Sequence, residues 1–127
     1  MTPSALAVVK HFWQLMASND FESVGAVLSD DFVLEWPQSR ERIRGRDNFA
    51  AMNRNYPAHG MWRFTVNRVF GDESRVVSDV SITDGVQHAR AISFFTVERG
   101  LITHLHEFWP DDYPAPANRA QWVENIE

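Results

Sequence analysis

The sequence predicts an α+β fold, and three observations carry that expectation. Its 127 residues make one ordinary domain and are too few for two. Up to Pro57, apolar residues recur mostly at three- and four-residue spacings, the period of helices. From Met61 to Trp109 the chain alternates apolar and polar residues between turn signals, the pattern of consecutive antiparallel strands. Helices first and strands afterwards make the α+β class.

Thr2-Pro3-Ser4 opens the first helix, with Thr2 as N-cap and Pro3 at the first helical position, where a missing N–H costs nothing. Leu6, Val9, Phe12, Trp13 and Met16 follow as one apolar stripe. Ser18-Asn19-Asp20 breaks that helix, and Asp20 caps a second short one striped by Phe21, Val24, Val27 and Leu28. Asp30-Asp31 leads into a strand, Phe32 to Trp36, stopped by Pro37. Gln38 to Arg46 is polar and arginine-rich and reads as a loop. Asp47 to Tyr56 forms a third helix with Phe49, Met52 and Tyr56 on one side, closed by Pro57. Met61 to Phe70 then alternates, placing Trp62, Phe64, Val66 and Phe70 on one face. Gly71-Asp72 turns the chain, Arg75 to Thr83 is a β-branched strand, and Asp84-Gly85 is a strong hairpin signal. Val86 to Val97 and Leu101 to Trp109 are the last two strands, joined at Arg99-Gly100. A long curved sheet with helices on one face makes a cone able to hold a ligand. The Pro-rich residues from Pro110 onward read as an extended C-terminal tail, 110–127, anchored by Trp122 and Val123, across a dimer.

Composition excludes several function classes. With no cysteine, a disulfide scaffold, a zinc–thiolate site and a cysteine nucleophile are ruled out. Twelve basic against seventeen acidic residues give a net charge of −5, which argues against nucleic acid as a partner. No apolar run reaches the ~18 residues of a membrane span. The N-terminus lacks a basic region, and Lys10, His11 and Gln14 interrupt its apolar stretch, so no signal peptide is expected and a cytoplasmic location fits. No cofactor is called for. The unusual number is aromatic: five Trp and nine Phe against two Tyr, enough to fill a core or to line an apolar pocket.

The order of elements, with Gly45-Arg46 opening the third helix and Glu107-Phe108-Trp109 ending the last strand, resembles the nuclear transport factor 2-like superfamily. The stretch from Glu107 through Trp109-Pro110-Asp111-Asp112-Tyr113 to Glu124 is similar, more narrowly, to the SnoaL-like polyketide-cyclase group. The resemblance covers nearly the whole chain, as a single domain spanning 1–127. It implies a cone-shaped, cystatin-like curved antiparallel sheet with three N-terminal helices on its concave face, and a homodimer formed through the outer sheet face. It does not imply one activity, since the superfamily holds isomerases, cyclases, hydrolases and pure binders. The ketosteroid isomerases use a tyrosine, an aspartate base and a protonated aspartate; the matching positions here are Phe12, Trp36 and Ser93. An oxyanion hole needs a donor, and Phe12 has none. The limonene epoxide hydrolases use an Asp–Arg–Asp set; the aspartates match Asp79 and Glu107, but the arginine falls on Val77. The polyketide cyclases depend on a pocket acid, a role open to Asp79 or Glu107.

Asp79 and Glu107 are therefore the candidate catalytic groups. Both sit mid-strand among apolar neighbours, where an unpaired carboxyl has its pKa raised and works as a general acid or base. Alternation groups Asp79 with Val77 and Ser81, and Glu107 with Leu105 and Trp109; the resemblance turns both faces toward the pocket. Glu35 falls on the opposite face from Trp36 and is expected to pair with an arginine of the following loop. His104-x-His106 has metal-ligand spacing, yet lies opposite Glu107 with no carboxylate to complete a triad, so no metal is expected. Arg40, Arg42, Arg44 and Arg46 read as a solvated basic run. Phe12, Trp36, Met52, Tyr56, Trp62, Phe64, Ser93, Leu105 and Trp109 are the expected ligand-contacting residues, around a small apolar or aromatic molecule. The sequence leaves three readings open: acid–base isomerase, cyclase or hydrolase chemistry without a cofactor, small-molecule binding without chemistry, or a scaffold role with the outer sheet face as its surface.

Overall fold

The computed structural model describes residues 2–126; Met1 and Glu127, the two ends of the expected domain span, lie outside the described residues. Helix α1 runs Ala5–Ala17. Its N-cap is Ser4 rather than Thr2, because the Ser4 Oγ accepts the otherwise orphaned N–H of Ala7 at 3.1 Å. Val9, Phe12, Trp13 and Met16 are buried as the apolar stripe requires, Leu6 is only partly buried, and Ala5 and Val8 join the buried side instead. The second helical segment, Phe21–Val27, is a 3-10 helix. Strand β1 spans Leu28–Trp36 and begins earlier than Phe32, with Leu28 already paired to the last strand.

Gln38 to Arg46 is not all loop. Strand β2, Glu41–Arg44, pairs antiparallel with β1, joining Trp36 to Glu41 and Glu35 to Arg42. Arg40 takes a positive φ of 63° to close the turn between them. With one aliphatic residue, Ile43, the strand has almost no hydrophobic pattern to betray it. Helix α2 is Gly45–Asn55, followed by β3 (Arg63–Gly71), β4 (Arg75–Thr83), β5 (His88–Glu98) and β6 (Leu101–Phe108).

The six strands form one sheet ordered β2-β1-β6-β5-β4-β3. Every pairing is antiparallel except β1 with β6, which run parallel across the middle. The helices cover one face. Phe12 lies at the centre of the resulting core, its ring 4.9 Å from Trp13 and 5.3 Å from Phe95. The Trp13 indole N–H donates to Ser78 Oγ at 3.1 Å, a buried bond that fixes α1 against β4.

A register shift between Val66 and Arg68 corrects the expected face of β3. Val66 pairs with Val80, which faces the core, but Phe70 pairs with Val77, which does not. The extra residue at Asn67 moves Val69 inward and Phe70 outward. The C-terminal tail also departs from expectation. It carries a 3-10 helix, Ala117–Trp122, and Trp122 and Val123 are exposed rather than anchored on this chain.

Candidate functional site

The wide end of the cone encloses a cavity of about 620 Å³ that opens to solvent. Most of its wall is apolar, as a small-molecule site requires. Seven of the nine expected ligand-contacting residues line it: Phe12 from α1, Trp36 from β1, Met52 and Tyr56 at the end of α2, Trp62 and Phe64 at the start of β3, and Trp109 after β6. The remaining two do not. Leu105 is fully buried in the core, among side chains that leave it no cavity surface, and Ser93 is sealed behind Glu107.

Glu107 lies where alternation on β6 put it, on the inner face, and lines the cavity at 6% exposure. Two neutral donors hold its carboxyl. The Trp36 indole N–H donates to Oε1 at 3.1 Å, and the Ser93 hydroxyl donates to Oε2 at 2.7 Å. Among the described residues no ion pair reaches it. Burial therefore dominates and raises its pKa above 4.5, against the two hydrogen bonds, which favour the ionised form.

Asp79 is the correction. Trp13 and the core claim Ser78, Val76 and Val80 on β4, so the next residue must point through the sheet to the opposite, convex face. There Arg90 donates to both of its carboxylate oxygens at 2.7 and 2.5 Å, Arg68 donates at 2.7 and 3.2 Å, and Asn67 adds a longer bond of 3.4 Å. These partners, Arg90 above all, hold its carboxyl well below the ordinary 3.8. Both faces of β4 carry apolar residues, so alternation alone did not say which one met the helices.

The convex face also holds the histidine pair. His106 Nε2 meets Glu35 Oε1 at 2.6 Å, and Arg42 binds the other oxygen of Glu35 at 2.7 Å. Glu35 thus finds its arginine as expected, and the described residues contain no group of three metal-type ligands. Arg46 pairs with Asp30, which leaves the arginine run without a clamp over the cavity.

The sequence reading missed part of the mouth. Gln38, Ser39 and Glu41 on the β1–β2 hairpin line it, with Asp111 from the tail, Asn53 from α2, and Gln87 and His88 from the β4–β5 turn. Gln38 ties the hairpin to the end of β6, accepting from the Trp109 N–H at 2.6 Å and donating to its carbonyl at 3.4 Å. Ile43, the one aliphatic residue of β2, offered almost no signal for this strand. On the opposite rim Asn19, at a positive φ of 62°, clamps Trp62 by accepting its N–H and donating to its carbonyl, both at 2.8 Å.

Comparison with solved structures returns the same architecture. A protein of Kribbella flavida DSM 17836 proposed to be a ketosteroid isomerase is 30% identical, with a TM-score of 0.87 over 96% of this chain and 89% of that one. An NTF-2 like protein of unknown function from Burkholderia xenovorans LB400 is also 30% identical, with a TM-score of 0.77 over 95% of this chain and 94% of its own. An LEH-like epoxide hydrolase of M. tuberculosis has 24% identity and a TM-score of 0.68 over 84% of this chain and 82% of its own. No curated protein matches the sequence. The SnoaL-like domain model matches residues 9–105, from the core of α1 to the middle of β6. That match, together with the curved sheet and the cavity it holds, makes this chain a member of the SnoaL-like domain family, within the nuclear transport factor 2-like fold.

Proposed function

We propose that this protein binds a small, largely apolar, flat or cyclic molecule in the cone and that Glu107 exchanges a proton with it, as in a cofactor-independent isomerase, cyclase or hydrolase. The supporting observation is a single carboxyl, Glu107, buried at an aromatic cavity wall with neutral partners only. A carboxyl with a raised pKa keeps its proton nearer to neutrality and can give it to a carbonyl or ring oxygen. Once ionised, it accepts from Trp36 and Ser93, which keep the carboxylate in place for the return step. Trp36 and Ser93 are positioning residues in this scheme. Asp79, on the other face, has no part in it.

Binding without chemistry is the second reading. It is favoured by Phe12 and Trp36, apolar where the isomerases carry a tyrosine and a base, and by the two carboxyl oxygens of Glu107, both already hydrogen-bonded. Native mass spectrometry of the purified protein, for a retained molecule, supplies the ligand. With that molecule, Glu107→Gln is expected to keep binding within about threefold and to lose about 10²–10⁴ in turnover. Turnover surviving in the variant overturns the catalytic role; wild-type protein that binds and never turns over leaves the binding role alone standing.

The proposal extends to a homodimer in the cytoplasm, formed through the convex face. Phe70 and Phe94 are exposed there, and Phe94 meets Phe108 edge-on at 6.0 Å. Phe70 and Phe94 are both cross-strand partners of Val77, so the three form one row across β3, β4 and β5, the kind of exposed apolar surface that a partner covers.

A further inference from the structure

We infer that the ligand carries a positive charge: the cavity is suited to an apolar molecule ending in an amine, with its ammonium at the mouth beside Glu41, Asp111, Trp36 and Trp109. The inference rests on the reading of the cone as a ligand site and names the ligand's class. Three carboxyls line the cavity, Glu41, Glu107 and Asp111, while none of the chain's arginines and lysines does. Among the described residues, the ion pairs take up Glu22, Asp30, Glu35 and Asp79 and leave these three without a cation. The convex face shows the reverse arrangement, with Arg42, Arg68 and Arg90 each bound to an acid. Charge is thus arranged differently on the two sides of one sheet, with arginine–carboxylate pairs on the convex face and carboxyls without a cation on the cavity side.

The aromatic wall points to the same ligand. Glu41 is the cross-strand partner of Trp36, so the two side chains are neighbours on the inner face. Asp111 follows Trp109 by two residues, and Gln38 holds Trp109 against the same hairpin. Tryptophan faces attract ammonium groups, the strongest such attraction among the aromatics. An anionic ligand meets three carboxyls here and no arginine or lysine, alongside the neutral donors Gln38, Asn53 and Gln87 and the imidazole of His88. A neutral one can offer the mouth carboxylates a hydrogen bond but no charge to balance theirs. Glu41 accepts one hydrogen bond, from Ser39 Oγ at 2.6 Å, which leaves its second oxygen for a ligand N–H.

Three probes of one skeleton test this on the intact chain by isothermal titration calorimetry at pH 7 and low salt: 4-phenylbutylamine, 4-phenylbutanol and 4-phenylbutyrate. The amine is expected to bind roughly tenfold tighter than the alcohol, and the carboxylate weakest. The amine's advantage is expected to shrink to about twofold in the double variant Glu41→Gln, Asp111→Asn, whose fold is checked by circular dichroism. Equal binding of amine and alcohol overturns the charge inference and leaves the ligand-site reading intact. An advantage that persists in the double variant overturns the assignment to Glu41 and Asp111. No binding by any of the three overturns both readings.

Discussion

Two carboxyls that look alike in the sequence behave oppositely once folded. Burial raises the pKa of Glu107 above 4.5, so the folded chain holds that proton more tightly than the unfolded one. Its contribution to stability is fully present below pH 4.5 and is lost as pH rises through the raised folded value. Glu107→Gln removes this dependence. In urea unfolding the variant is expected to gain on wild type as pH rises above 4.5, by at most about 1.4 kcal/mol per pH unit. Parallel curves for the two proteins would sink the buried-acid account. Asp79 has the opposite sign. Its folded pKa is depressed, so its contribution is present above pH 3.8 and lost as pH falls below it. Asp79→Asn is therefore expected to lower the melting temperature at pH 7 and to narrow the gap to wild type in acid. Because the side chain faces away from the cavity, ligand affinity measured by calorimetry should stay within about twofold of wild type.

At the scale of elements, periodicity located most of the chain and failed where periodicity is weak. The stripe of α1 was legible because Val9, Phe12, Trp13 and Met16 all meet one core. Strand β2 was not, since its pairing with β1 rests on backbone bonds that any polar sequence can supply. The inward turn of Val69 was hidden for a different reason. An inserted residue on one strand reverses every later side chain, and nothing at Asn67 marks it beforehand. The Asp84-Gly85 hairpin was plain, and its cause extends past the turn: Asp84 accepts from the N–H groups of Val86 and Gln87 and from that of His59 on the loop before β3. The contact that seats α1 on the sheet gives a direct test. Ser78→Ala leaves the buried Trp13 indole N–H without its acceptor. It is expected to cost about 1–3 kcal/mol in urea unfolding with the denaturant slope unchanged. A loss below about 0.5 kcal/mol would mean the bond does not hold the helix in place.

For the whole molecule, the proposed dimer makes a mass prediction. Light scattering on a size-exclusion column is expected to give twice the chain mass for wild type and the single chain mass for Phe70→Asp, Phe94→Asp. A wild-type monomer removes the proposal that the convex patch is covered by a second copy. The sequence by itself determined the α+β class and the family, and side-chain alternation, a local rule, put Glu107 and Trp109 on one face of their strand; the family resemblance, not alternation, put Trp36 on the same side. The sequence also set the histidine pair opposite Glu107 and Glu35 opposite Trp36. It did not decide which face of β4 meets the helices, and so it gave Asp79 and Glu107 the same standing. That choice came from packing: Trp13 finds its hydrogen bond at Ser78, the core closes over Val76 and Val80, and Asp79 is left to two arginines on the far side. The mouth of the cavity was likewise decided in three dimensions. Glu41 and Asp111 are seventy residues apart in sequence and line one cavity because β1 pairs with both β2 and β6, with Gln38 tying the β1–β2 hairpin to the end of β6.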